Sequence, residues 1–271
     1  MQKDQRTVLI TGASSGMGRA TAAYLAEQGY IVYAGSRTPQ KLFEIESENI
    51  HPLKLDITDP KSIKEAISRI DKIDILINNA GYGLVSTVEE ATEEEMFNQF
   101  NVNVFGVMRM CKAVIPKMRK QKNGVIINIS SFLGKIGLPL LTFYNASKYA
   151  VEGITDSLRY ELSDFNIRVH SIMPGFFDTN FARDNLVTNK ATFDADSPYV
   201  QMVSALAPVI VEQINSGNDT TEITRLILEI IENKEFSARC TAGDKAKKFI
   251  PMKRELSDED FERRVRAYYD L

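Results

Sequence analysis

Six short, nearly unbroken apolar runs punctuate the chain: Thr7 to Ile10, Ile31 to Ala34, His51 to Leu55, Ile73 to Ile77, Gly124 to Ile129 and Ile167 to Ile172. A strand with one wet face alternates apolar and polar residues; these runs do not, so they read as strands covered on both faces. Between them the spacing turns helical. Met17 to Gln28 closes on Gly29, a helix-ending glycine, and Thr92 to Met118 carries Met96, Phe97, Phe100, Val104, Val107 and Met108 as one broad stripe. Strand, helix, strand in repetition predicts right-handed crossovers and a parallel, doubly wound α/β sheet. No repeat or low-complexity linker marks a boundary before about residue 175.

After Pro174-Gly175 the pattern changes. Phe176 to Gly217 mixes apolar residues with Asn, Asp and Thr without a strand signal, and reads as an excursion from the sheet that serves as a substrate lid. Thr220 to Asn233 returns as an amphipathic helix, with Ile223, Leu226, Ile227, Ile230 and Ile231 on one side. Pro251 to Leu271 (about 250–271 as a unit) reads as a charged helical tail that packs through Leu256, Phe261, Val265 and Tyr268 or Tyr269.

Composition narrows the field. The 271 residues, 44% hydrophobic and 25% charged, suit a globular chain of one large or two small domains. A net charge of −3 offers no basic field, which excludes nucleic acid and anionic lipid as first expectations. No run approaches the roughly 18 apolar residues of a membrane helix, and the polar start, Met1 to Arg6, does not read as a secretory signal. Cys111 and Cys240 lie far apart and suggest neither a disulfide nor a metal site, so a cytoplasmic location without metal is expected.

Candidate chemistry begins after the first strand. Thr11-Gly12-Ala13-Ser14-Ser15-Gly16-Met17-Gly18 leaves a strand and opens a helix. Glycines there let the backbone turn tightly and a diphosphate come close, while the helix start supplies free N–H groups. The spacing, Gly-x-x-x-Gly-x-Gly, is a variant of the dinucleotide fingerprint, and a plain tight turn is the alternative. The same residues also read Gly-x-Ser-x-Gly, the nucleophile elbow of serine hydrolases, with Ser14 as nucleophile. That chemistry requires a histidine base, and the chain has only His51 and His170, both within strand-like runs. At the end of the second strand stands Gly35-Ser36-Arg37. Ser36 and Arg37 suit a 2′-phosphate, and no carboxylate is present to repel it, so NADP(H) is the expected cofactor; Arg37 as a solvated loop charge is the plainer account.

Tyr144-Asn145-Ala146-Ser147-Lys148 opens a helix that runs to about Ser163. Positions four apart share a face, so the ammonium sits near the phenol and lowers its pKa toward the range useful for acid–base work, although so short a spacing also arises by coincidence. At this point the chain resembles the short-chain dehydrogenase/reductase family, closest to the branch holding 17β-hydroxysteroid and retinol dehydrogenases. The resemblance runs from Thr7 to Thr179 and rests on the glycine loop, Asp56, Asn78-Asn79-Ala80-Gly81, Asn103, Ser131, Tyr144 with Lys148, and Pro174-Gly175 with Thr179.

What the resemblance implies is a single-domain, three-layer Rossmann fold with a seven-stranded parallel sheet. Tyr144 is implied as the acid/base, Lys148 as the holder of the nicotinamide ribose, Ser131 as the hydrogen-bond partner of the substrate oxygen, and Asn103 as support for a water-linked proton path. Ser130 is the lesser candidate beside Ser131. Cofactor contacts are implied for Gly12, Ser14, Ser15, Gly16, Met17, Gly18, Asp56, Ile57, Asn79, Ala80, Gly81, Pro174, Gly175, Phe177 and Thr179. An apolar pocket for a hydrophobic carbonyl compound or alcohol would be walled by Leu133, Leu138, Leu141, Phe176 and Phe181, unless these are plain packing residues. A homodimer or homotetramer is implied through the helices Thr92 to Met118 and Tyr144 to Ser163, with Val151, Ile154, Thr155 and Leu158 at the contact or against the sheet. The competing readings are a catalytically silent NADP(H)-sensing protein on the same fold and the Ser14 hydrolase.

Overall fold

The computed structural model describes residues 5–42, 47–179 and 181–269. In chain order the strands among them are β1 (Thr7–Thr11), β2 (Ile31–Ser36), β3 (Ile50–Lys54), β4 (Ile75–Asn78), β5 (Gly83–Val85), β6 (Gly124–Ile129), β7 (Ile167–Pro174), β8 (Leu186–Thr188) and β9 (Arg239–Ala242). The helices are α1 (Gly16–Glu27), α2 (Pro60–Ser68), α3 (Glu93–Phe100), α4 (Val107–Gln121), α5 (Thr142–Leu162), α6 (Phe181–Asp184), α7 (Val200–Asn215), α8 (Thr221–Glu232), α9 (Asp244–Glu255) and α10 (Asp258–Tyr269).

Seven strands form one parallel sheet in the order β3-β2-β1-β4-β6-β7-β9. Central β1, β4 and β6 are buried at every position, as continuous apolar runs require when helices cover both faces. The edge strand β3 exposes His51 and Lys54 and tolerates Pro52, whose missing N–H costs least at an edge. The other edge, β9, is four residues long with two of them buried, too short and too mixed to stand out as an apolar run. On one face α1 and α8 pack Ala22, Leu25, Ile223 and Ile227 against the sheet; on the other, α2, α4 and α5 bring Ile63, Met110, Val114 and Val151. A third cluster joins Phe132, Leu133, Leu206, Ile210, Phe249, Phe261 and Val265.

Three expectations change. The stripe expected over Thr92 to Met118 is broken by a π-helical turn at Asn101–Gly106. Its wider pitch rotates the phase of the helix, leaving Phe97 (58% exposed) and Met108 (40%) outside while Val104 and Val107 stay buried. The stretch expected to lack strands forms β8, which pairs in parallel with β5 in a separate two-stranded sheet. The C-terminal part is two helices: Pro251 lies inside α9, which begins at Asp244, and Phe261, Val265 and Tyr269 of α10 are buried. Val151 and Thr155 are buried on the sheet side of α5 rather than offered to a partner, whereas Ile154 and Leu158 are half-buried.

Gly29 adopts φ 87° and its N–H donates to the Ala26 carbonyl, closing α1 as its position suggests. Both cysteines are buried and free, and burial pushes the Cys111 thiol up to about 12 and that of Cys240 to about 11. A thiolate is the reactive form, so neither is expected to react with a disulfide reagent at pH 8 until the protein is unfolded. Stoichiometric labelling of native protein within minutes would contradict this.

Candidate active site

The strand order reverses at β1 and β4, and a crevice opens beyond their C-terminal ends. Thr11 clasps the two ends: its Oγ1 accepts the N–H groups of Asn79 and Ala80, both at 3.0 Å. Asn79 answers by donating Nδ2 to the carbonyls of Thr11 (3.0 Å) and Gly12 (3.1 Å). The clasp brings the backbones so close that a Cβ on Gly12, already at φ 66°, would lie 2.7 Å from Ala80 Cα. A Cβ on Gly18 would lie 2.4 Å from Asn79 Nδ2, so Gly18 serves the packing of α1 beneath the loop rather than lining the crevice. At the start of α1, Ser15 makes no side-chain cap and the first turn holds no acidic residue. The start of α1 therefore lies at the crevice with no side-chain cap from the chain itself.

The crevice holds about 620 Å³. Gly12, Ser14, Ser15, Gly16, Met17, Asn79, Ala80 and Gly81 line it at the loop, with Ser36, Arg37, Asp56 and Ile57 at the far end and Tyr144, Lys148 and Thr179 near α5. Ser36 is buried and Arg37 exposed. The carboxylate of Asp56 accepts from the Thr58 N–H (2.8 Å) and hydroxyl (2.7 Å).

On α5, Lys148 is 6% exposed and donates from Nζ to the Ile129 carbonyl at 2.9 Å, with Nζ 5.6 Å from the centre of the Tyr144 ring. Burial pushes the Tyr144 phenol up to about 12, opposed by a hydrogen bond with Ser131. It pulls the Lys148 ammonium down to about 8, opposed by the attraction of Glu152. The phenol thus stands above its ordinary value where the spacing suggests a lowered one, because burial disfavours its charged form. Ser131, at the end of β6, accepts the Leu133 N–H at 3.1 Å. Leu140, just before α5, is held at φ 63° by the Ser86 N–H donated to its carbonyl at 2.8 Å, a left-handed geometry that a bulky residue adopts only under constraint.

Asn103 sits in the π turn, its side chain bonded to Tyr82 N (3.1 Å), Tyr82 O (2.9 Å) and Ser147 Oγ (3.0 Å). Buried Gln99 shares the grip, donating to Tyr82 O at 2.8 Å and accepting the Leu84 N–H at 2.7 Å. Tyr82, Glu95, Asn98, Asn101 and Asn185 also line the crevice and escaped the sequence reading. The signal was present as carboxamides at 98, 99, 101 and 103 within an otherwise apolar helix.

A smaller hollow of about 70 Å³ adjoins the crevice. Leu133, Leu141, Phe176, Phe181, Leu186, Ile210 and Ile214 line it with Ser131, while Tyr144 and Thr179 border both spaces. Pro174, Gly175 and Phe177 border this hollow rather than the larger crevice; Phe177, 3% exposed, packs with the α1/α8 core. Leu138 lies in the third core cluster, away from both spaces, and its carbonyl accepts Asn145 Nδ2 at 2.9 Å. Asn180, inside the expected lid, lies outside the described residues. The hydrolase reading lacks its base: His51 stacks near Tyr33, and His170 bonds Arg168 and the Ser237 carbonyl, whereas Ser14 faces the crevice without either.

Residues 6–190 match the family model described as short chain dehydrogenase. A 3-ketodihydrosphingosine reductase of Bacteroides thetaiotaomicron is 38% identical over 97% of this chain and 98% of its own. Among solved structures, a short-chain dehydrogenase from Streptomyces avermitilis superposes with TM-score 0.83 at 27% identity, covering 99% of this chain and 97% of its own. One from Burkholderia cenocepacia, in complex with NADP, gives 0.76 at 26% identity and covers 99% of both chains.

Replacing Gly12 by alanine is expected to destabilise the protein by about 2 kcal/mol, since both the positive φ and the Ala80 backbone oppose a side chain. Chemical denaturation of the variant measures it, and an unchanged midpoint would contradict the clasp.

Proposed function

We propose, since the chain belongs to the short-chain dehydrogenase family, that it is an NADP(H)-dependent oxidoreductase acting on the carbonyl or alcohol group of a hydrophobic small molecule. One observation carries the reading: Tyr144 borders both the crevice beneath the glycine loop and the apolar hollow. A substrate carbonyl placed between the two spaces meets the phenol and the Ser131 hydroxyl together.

The residues present fit a dinucleotide. The uncapped start of α1 and the Gly12 cradle would hold a diphosphate, Ser36 and Arg37 a 2′-phosphate, Asp56 and Ile57 the adenosine end, and Lys148 the nicotinamide ribose. Bound there, the nicotinamide supplies or accepts the hydride. Tyr144 is the acid in the reductive direction: burial keeps its phenol protonated at neutral pH, so the proton is in place when charge develops on the substrate oxygen. Ser131 donates a second hydrogen bond to that oxygen, and the Lys148 ammonium offsets the charge left on the tyrosine. Asn103 keeps Tyr82 and Ser147 in place around the lysine.

The apolar lining supports a hydrophobic substrate, and likeness to a 3-ketodihydrosphingosine reductase over nearly the full length of both chains supports a ketone borne on an alkyl chain. The segment at about 176–217 acts as the lid, since Phe176, Phe181, Leu186, Ile210 and Ile214 all come from it. The tail expected at about 250 onward, seen as α9 and α10, braces the wall behind Leu133. Assembly into a dimer or tetramer, in a cytoplasmic setting, belongs to the same proposal. Exposed Phe97, Phe105 and Met108 support the assembly, and no helix among the described residues is long and apolar enough to cross a membrane.

Tyr144→Phe is expected to lower kcat/KM for NADPH-dependent reduction, screened against ketones, aldehydes, quinones and steroids, by about 10²- to 10⁴-fold while leaving NADPH binding intact. Full activity in that variant would refute the assignment. Ser36→Asp sets a carboxylate where the 2′-phosphate is proposed to lie. The NADPH/NADH ratio of kcat/KM should fall by about tenfold or more, the effect of a repulsion of about 1.4 kcal/mol, and an unchanged ratio removes the cofactor assignment.

A further inference from the structure

One turn beyond Lys148, on the same face of α5, lies a buried carboxyl side chain to which the proposed chemistry gives no role. The Glu152 side chain is 3% exposed. Its carboxylate accepts a hydrogen bond from the Ser171 hydroxyl on β7, pairs with Arg239 Nε on β9 at 2.7 Å and lies 3.4 Å from Lys135 Nζ in the segment after Ser131. Gly134 makes the approach possible, for a Cβ there would lie 3.0 Å from the Lys148 carbonyl oxygen and 3.2 Å from Glu152 Cγ. Three other parts of the chain, β7, β9 and the segment after Ser131, therefore converge on this carboxylate. Burying it is costly unless its charge is paired, and Arg239 and Lys135 both pair it.

One turn earlier on the same buried face stands Lys148, whose Nζ is turned into the protein against the Ile129 carbonyl. An ammonium in that place is short of counter-charge. The other charged and titratable groups around the two are Tyr144 and Asp156 from α5, Lys135 from the loop and Arg239 from β9; β6, β7 and the π turn contribute only neutral partners, Ile129 O, Ser171 and Asn103. We propose that Glu152 is a positioning residue for the Tyr144–Lys148 pair: tied to Arg239 and Ser171, it pins α5 to the sheet and supplies the buried counter-charge that lets Lys148 remain an ammonium. This rests on the role given to Lys148 above. Arg239 is the moderator, since it draws on the same carboxylate from the opposite side.

Two substitutions separate this from a purely structural role because they act with opposite sign. In Glu152→Gln the counter-charge is gone, so Lys148 loses its proton about one pH unit lower than in the unmodified protein. In Arg239→Gln the carboxylate is no longer shared and Lys148 holds its proton to higher pH. The midpoint is read directly by NMR of protein labelled at lysine 13Cε, with the Lys148 signal assigned by its loss in Lys148→Met and folding checked by circular dichroism. Glu152→Asp, which keeps the charge, should return the midpoint toward that of the unmodified protein and serves if the glutamine variant does not fold. Midpoints that coincide, or that move the same way in Glu152→Gln and Arg239→Gln, overturn the proposal. The alkaline limb of kcat/KM should follow the NMR midpoints. If the midpoints move as expected and the limb does not, Glu152 keeps its role and the assignment of Lys148 to the reaction fails instead.

Discussion

The site depends on how one helix is seated. α5 lies on the sheet through polar side chains as well as through the apolar Val151 and Leu162. Asn78 donates to Asn128 (2.9 Å), Asn128 donates to Thr155 (2.9 Å), Thr155 donates to the Val151 carbonyl (2.8 Å), and Ser171 donates to Glu152. Apolar surfaces slide with little penalty because the attraction has no direction; a buried hydrogen bond does not, because a displaced partner is left unsatisfied. The row therefore sets both the rotation and the height of α5 on β6 and β7. Tyr144 and Lys148 inherit their places relative to Ser131 from it.

A second constraint acts at the other wall. The Thr11–Asn79 clasp draws the loops after β1 and β4 together and leaves the start of α1 exposed to the crevice. Between these walls the electrostatics are set by burial more than by the pair itself. Phenol and ammonium are each pushed toward neutrality, which keeps a proton on Tyr144 and makes the charge of Lys148 dependent on its surroundings. The apolar hollow is built separately, from α7, the turn after Ser131 and, behind it, the two C-terminal helices.

Much of this was legible in the chain. Runs such as Ile73 to Ile77 have no polar face and belong between two helical layers, and Gly12, Gly29 and the Tyr144/Lys148 spacing carry local constraints that sequence expresses directly. Other features were not legible, for particular reasons. β9 reads as Arg-Cys-Thr-Ala and becomes a strand because β7 offers it an open edge. The π turn at Asn101–Gly106 changes the helical phase, and a constant period cannot anticipate that. Leu138 is as apolar as Leu141, and composition does not say which of them faces a hollow and which only a core.

The sequence by itself determined the doubly wound α/β fold and the place of the glycine loop, because strand burial and tight turns are local properties. Tertiary structure alone decided which apolar residues line the hollow, that burial raises the tyrosine's pKa, and that Glu152 and Arg239, 87 residues apart, meet. Each of these depends on distances between segments remote in the chain, and on the loss of water between them.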